Sequence, residues 1–224
     1  MRKFHHDIPG PLAIILQILS GAACGVLIAG IYLAFKPVKM VDASTAAAAK
    51  ETPGERNVVT YIPGNPGHPS GQQWRVRERA FVEKAPTGVA IIEQDVNRWV
   101  ATTYGSSDRR VKFDEYDLEI DPGLPLFRIN GSDFQIGLEY RVTWGEADKS
   151  VVTQARGRFE KSGDRHVFVP TKVYVGSCPL PGPLGKMFVG KFVGAYPVPD
   201  NVEASWKAVT SVKVEENQLK LAFN

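Results

Sequence analysis

The sequence predicts an α+β protein: an N-terminal transmembrane helix followed by a curved, mainly antiparallel sheet with one or two packed helices. Three observations carry this. No charged residue occurs from Leu12 to Phe35. Helical spacing after that is concentrated in two early stretches. Beyond Tyr116, segment after segment alternates apolar and polar residues with short connections, whereas parallel crossovers would need helices between strands.

The apolar run comes first. At 1.5 Å per residue, Leu12–Phe35 is long enough to cross a hydrocarbon layer of about 30 Å. The rival is a cleaved signal peptide, but such an apolar region usually runs to about 7–15 residues. No small-x-small site follows directly, although Ala43 to Ala49 offers a late one. Arg2 and Lys3 on one side are matched by Lys36 and Lys39 on the other, so the charge rule gives a tie. The short tail (1–11) and the wholly C-terminal domain favour a signal anchor with a cytoplasmic N-terminus. The expected location is therefore a bacterial inner membrane, single-pass, with the domain facing the periplasm or outside. Gly21 and Gly25 form a GxxxG that would let two helices approach closely, although small residues are common in such helices. Of the two cysteines, Cys24 lies in this run and Cys178 in the folded part, so neither a disulfide framework nor a cysteine-based zinc site can be built.

Residues 36–71 show no sustained apolar period and end in repeated Pro and Gly, so they are expected to be a tether. Val58 to Ile62 is the one part that could add an edge strand. Deletion between Ala46 and Gly64 is expected to leave the domain, 72–224, folded.

Within the domain, Gln72 to Lys84 has helical spacing, with Trp74, Phe81 and Val82 inward and Arg75 and Arg79 on a solvated face. A short strand then turns into a helix from Gln94 to Tyr104, because Val96, Trp99, Val100 and Thr103 recur at i, i+3, i+4 and i+7. Gly105 ends it. Asn97 and Arg98 fall on its flank, where an exposed role is favoured. Tyr116, Leu118 and Ile120 mark a strand. The clearest one is Asp133 to Trp144, where Phe134, Ile136, Leu138, Tyr140, Val142 and Trp144 alternate with mostly polar residues. Val151–Phe159, Val167–Val175, Ala208–Val214 and Leu219–Phe223 follow, with Glu216 and Asn217 reversing the last pair. One face of Val151–Phe159 reads Val, Thr, Ala, Gly, Phe, a small-sided stripe that leaves room for a helix, the favoured occupant, or for a ligand.

The functional expectation rests on the stretch after the strand Val167–Val175. Leu184, Met187, Phe188 and Phe192 share one helical face, and Val189 and Val193 occupy the other. With only Lys186 and Lys191 as charges, such a helix must be buried, or touch lipid or a partner. Met and Phe make adaptable walls for acyl chains, and plain core packing accounts for the same residues.

The helix DVNRW (95–99), the alternating strands, the turn YVGSCPLPGPL (174–184), the apolar segment and the hairpin SVKVEENQLKLAF (211–223) together resemble the small membrane-anchored lipid-binding-type proteins of the YpmS and LmeA kind, near the tubular lipid-binding folds. The resemblance implies a groove between a curved sheet and a helix that holds a lipid tail. Leu180 and Pro181 are the structural markers it carries over.

Nothing in the chain has the pattern of a catalyst: GxSxG, HExxH and a phosphate-binding glycine loop are all missing from the sequence. His5 and His6 stand at the start and His68 in the tether. A Cys178–His166 dyad would need to reach along a whole strand. Asp117, Glu119 and Asp121 would share a strand face, which reads as solvated rather than as a calcium site. A charge of +3 with interleaved signs does not predict nucleic acid. The expectation is a non-enzymatic, membrane-anchored domain without cofactor or metal that binds or hands on a phospholipid or other apolar ligand. The alternative is a non-catalytic scaffold or assembly subunit that contacts other envelope proteins. A groove above about 300 Å³ beside Leu184–Val193 would separate the two.

Overall fold

The computed structural model describes residues 11–42, 59–68 and 71–223, with side chains except those of 11–14 and 192–194. The expectations for Arg2, Lys3, His5, His6, Val58 and Ala43–Ala49 lie outside the described residues.

The chain is α+β. Helix α1 (Pro11–Phe35) comes first, and its Ile15–Phe35 part, 21 residues, is long and apolar enough to cross a membrane. From Ile15 on, its residues are exposed save for Gly30, Leu33 and Ala34 near its end, which are half-buried. A Cβ added at Gly21 or Gly25 would meet nothing, so the GxxxG face is open.

Two short strands follow, β1 (Lys39–Met40) and β2 (Thr60–Tyr61), paired in parallel. Helix α2 (Gln73–Val82), strand β3 (Val89–Ile92) and helix α3 (Glu93–Tyr104) lead into the main sheet. Its strands are β4 (Val111–Phe113), β5 (Leu118–Pro122), β6 (Leu126–Asn130), β7 (Asp133–Trp144), β8 (Ala147–Ser162), β9 (Arg165–Val175) and β10 (Cys178–Pro179). They lie in the order β10-β9-β8-β7-β5-β4, with β6 on the first half of β7, and every pairing is antiparallel. Helices α4 (Gly182–Gly194) and α5 (Asp200–Lys207) precede β11 (Val209–Glu215) and β12 (Gln218–Phe223), which join β3 in a second antiparallel sheet. The β11–β12 reversal places Glu216 and Asn217 at φ 54° and 61°, the two positive values that a tight hairpin turn requires.

The long strands follow the alternation. Phe134, Ile136 and Leu138 of β7, Ala155 of β8 and Val173 of β9 are buried on one face, in register with one another. There an aromatic cluster forms: Phe134, Phe159 and Phe168 stack within 5.8 Å of each other, and Trp206 and Phe81 extend the cluster to Phe223. Pro170 sits within β9 because a bulge opposite Arg156 and Gly157 absorbs its missing donor.

Helix α5 and strands β1, β4, β6 and β10 add to the predicted elements among the described residues. Two readings are corrected. The first concerns residues 59–68, which were expected to be tether and instead lie on the other face of the sheet. Tyr61 is 3% exposed, and its ring rests on Gly137, where any Cβ would overlap it. Gln135 Nε2 and Gln154 Nε2 donate to the carbonyls of Ile62 and Thr60, at 3.1 and 3.4 Å. Gly64 fits against the Phe127 carbonyl where no side chain would. Burying one aromatic residue this completely contributes about 3 kcal/mol, so deletion from Ala46 to Gly64 is expected to damage the domain.

Asn97, read as exposed, is the second: it is 2% exposed. Its Nδ2 donates to the carbonyls of Asn65 (2.9 Å) and Phe127 (2.8 Å), and its Oδ1 accepts from Phe127 N (2.7 Å). Glu93 takes the amides of Asn65 and Ile129. Asp95 accepts from Ile92 N at 3.1 Å and pairs with Arg77. The start of α3 is thus a polar clamp on the 59–68 strap, β6 and α2. The buried line on α3 runs through Asn97, Val100 and Tyr104, rotated by one residue from the predicted stripe.

Candidate functional site

The apolar segment does form a helix, α4, and it packs on β9, the strand next to the one that carries the small-sided stripe. Val189 is 5% exposed and Phe188 half-buried, both packed on the core. A Cβ on Gly185 would stand 3.0 Å from Val173 Cγ2, so the helix lies close on β9, beside Ala155, which is fully buried. Leu184 and Met187 point the other way, 51% and 58% exposed. The side chains of Phe192 and Val193 lie outside the described residues. The six residues therefore divide: Val189 and Phe188 belong to the core, while Leu184 and Met187 present an apolar outer face. Leu180 and Pro181 shape the turn into α4, Leu180 N donating to Val173 O (2.9 Å) and Pro181 O accepting from Gly185 N (2.8 Å).

This helix starts beside the anchor. Ser177, 3% exposed, donates its amide to Leu33 O (2.9 Å), and its hydroxyl accepts from Val59 N (3.2 Å). Gly176, at φ 56°, lies against the Ala34 carbonyl, where a side chain has no room. One tight turn after β9 therefore holds the end of α1 and the start of the strap together.

A second apolar surface lies at the far end of β7. Strand register aligns Val111, Ile120 and Val142, and beside them Phe113, Leu118 and Trp144. All six share the face that the helices cover further along the sheet. Here it is open: Val111, Phe113 and Trp144 are 48%, 42% and 69% exposed, and Tyr116 adds 60% beside them. The opposite face carries Lys112 and Glu119, paired at 3.1 Å. Alternation reports that this face is apolar, yet it cannot report whether the chain itself covers it.

A cavity of about 170 Å³ lies between α2, α3, α5 and the small sheet, walled by Trp74, Phe81, Ile91, Trp99, Trp206 and Leu219. Its indoles are already engaged: Trp99 Nε1 donates to Glu78 Oε1 (2.9 Å) and Trp206 Nε1 to His166 O (2.8 Å). His166 and Cys178 sit at opposite ends of β9, roughly 30 Å apart by strand rise. Asp117 turns into the left-handed region (φ 46°) ahead of β5, so it leaves the strand face shared by Glu119 and Asp121. Among the described residues no group of three His, Cys, Asp or Glu side chains could hold a metal ion.

Burial, reinforced by Glu139, pushes the Tyr61 phenol up to about 12, and burial does the same for Tyr140. Arg110, hydrogen-bonded to Asp108, holds that exposed carboxyl down at about 2. These shifts follow from packing and a surface ion pair.

No family model, curated protein or solved structure matches this chain. The class that the fold defines is an α+β domain behind one N-terminal apolar helix of membrane-spanning length.

Proposed function

We propose that this chain is a single-pass, inner-membrane-anchored assembly subunit, non-catalytic, whose domain faces away from the cytoplasm and joins a partner protein of the envelope. The observation that carries the reading is the uncovered apolar end of the main sheet. Phe113, Leu118 and Trp144 stand in one cross-strand row, with Val111, Ile120 and Val142 in the next. Apolar rows of this kind on a β surface mark contact sites, and aromatic residues are enriched at the centres of protein interfaces. The polar interior supports the same view, because Asn97, Glu93 and Asp95 are spent on holding the fold.

A photo-crosslinking residue placed at Trp144 of the full chain in its native membrane tests this. A discrete protein adduct that Phe113→Asp abolishes is expected. Recovery of the uncrosslinked chain alone would contradict the reading. The second reading is a domain that binds or hands on a lipid or other apolar ligand, supported by the apolar cavity between α2, α3 and α5. Lipid extraction and native mass spectrometry of the purified chain address it: one phospholipid lost together with a Trp99→Asp substitution would favour that ligand site.

A further inference from the structure

We propose that α4 rests on the bilayer surface beside the anchor, with Leu184 and Met187 among the acyl chains and Lys186 and Lys191 at the level of the lipid phosphates. The inference rests on α1 being retained as a membrane span. Ile15–Phe35, 21 residues, measures about 32 Å at helical rise, close to the thickness of a hydrocarbon layer, so Phe35 stands at one boundary of it. Gly30 lies about 8 Å inside that boundary by the same rise.

The domain reaches this depth. A Cβ on Gly30 would be 4.0 Å from Cys178 Sγ, and Leu33 O holds Ser177 N at 2.9 Å. The turn 176–178 is therefore level with the headgroups or just beneath them. Only Pro179, Leu180 and Pro181 separate Cys178 from the first residue of α4. The orientation of α4 about its axis is fixed from below, because Gly185 lies on Val173 and Val189 is buried. Leu184 and Met187, three residues apart, must then face outward together. Lys186 is exposed on one flank of this pair and Lys191 one turn beyond Met187 on its line, and neither forms an ion pair among the described residues. A short apolar ridge with lysines at its flank and end suits a bilayer surface, the long lysine stems reaching up to anionic headgroups. A protein partner would have to displace lipid from a surface that the anchor already holds against the membrane.

The test uses the full chain in nanodiscs containing phosphatidylglycerol, with nitroxide labels read by oxygen and nickel-chelate collision rates. Cys24, labelled in a Cys178→Ser chain, reports the anchor. Met187→Cys, with Leu184→Cys as a second site, reports α4, both without the native cysteines. Asp164→Cys lies at the other end of β9, about 35 Å away by strand rise, and gives the aqueous reference. The expected result is an oxygen-to-nickel ratio at 187 and 184 that exceeds Asp164→Cys several-fold and lies below that of Cys24, which sits about 16 Å inside the boundary by helical rise. Ratios matching Asp164→Cys while Cys24 stays lipid-exposed would overturn the inference and leave the anchor reading intact. A water-exposed Cys24 would overturn both. Labels at 184 and 187 shielded from both reagents would indicate a protein contact, a second copy of the chain, and would also overturn it.

Discussion

Residues 59–68 and helix α4 exchange the roles that their compositions suggest. The strap has the sequence of a spacer, yet it buries Tyr61 to 3% exposure on the back of the sheet. After the anchor, α4 is the most apolar helix, yet Leu184 and Met187 remain more than half exposed. Burial depends on whether a matching site exists. Tyr61 has one because Gly137 offers no side chain and two glutamines reach out for the neighbouring carbonyls. The outer face of α4 has no such site among the described residues.

Four changes probe that contrast, each read by chemical denaturation of the full chain in detergent with tryptophan fluorescence. Tyr61→Ala removes a fully buried ring and is expected to cost about 4 kcal/mol. A loss under about 1 kcal/mol would return the strap to the status of a spacer. Gly137→Val reaches the same contact from the other side, and overpacking at a backbone-tight position is expected to cost about 3 kcal/mol. Asn97→Ala leaves the Phe127 amide and two carbonyls without their partner, for an expected loss of about 2 kcal/mol. Met187→Ser removes only an exposed side chain and should stay within about 0.5 kcal/mol.

A pH series sharpens the same contact. The folded Tyr61 phenol ionises near pH 12 against an ordinary 10.0, so its neutral form is stabilised by folding. That contribution is complete below pH 10 and is lost as pH rises toward the folded value. Stability should therefore fall between about pH 10 and 12, by up to about 1.4 kcal/mol per pH unit for Tyr61, and Tyr140, raised to the same value, adds to the slope. Tyr61→Phe should flatten this slope; an unchanged slope would place the titrating group elsewhere.

The strands were legible because a period of two survives in any sheet with one greasy face. Phe134 to Trp144 and the hairpin around Glu216 and Asn217 are local signals, complete within a dozen residues. Tyr61 carried no such signal, since its site is made by Gly137 and the glutamines, 73 and 94 positions from their partners in the strap. Asn97 was misplaced because periodicity counts apolar residues, and a buried amide satisfied by three backbone groups does not register. The open end of the sheet was hidden for the opposite reason. Val142 and Trp144 continue the pattern of Ile136 and Leu138, and only the positions of the helices decide which of them is covered.

On the proposed reading the strap completes the domain while the sheet end is left for a partner protein. Hydroxyl-radical footprinting of the full chain, compared between nanodiscs and native membranes, tests both halves at once. Tyr61 is expected to be unreactive in both settings, and Trp144 to be oxidised readily in nanodiscs and protected several-fold in native membranes. Equal oxidation of Trp144 in the two, or ready oxidation of Tyr61 in either, would contradict it.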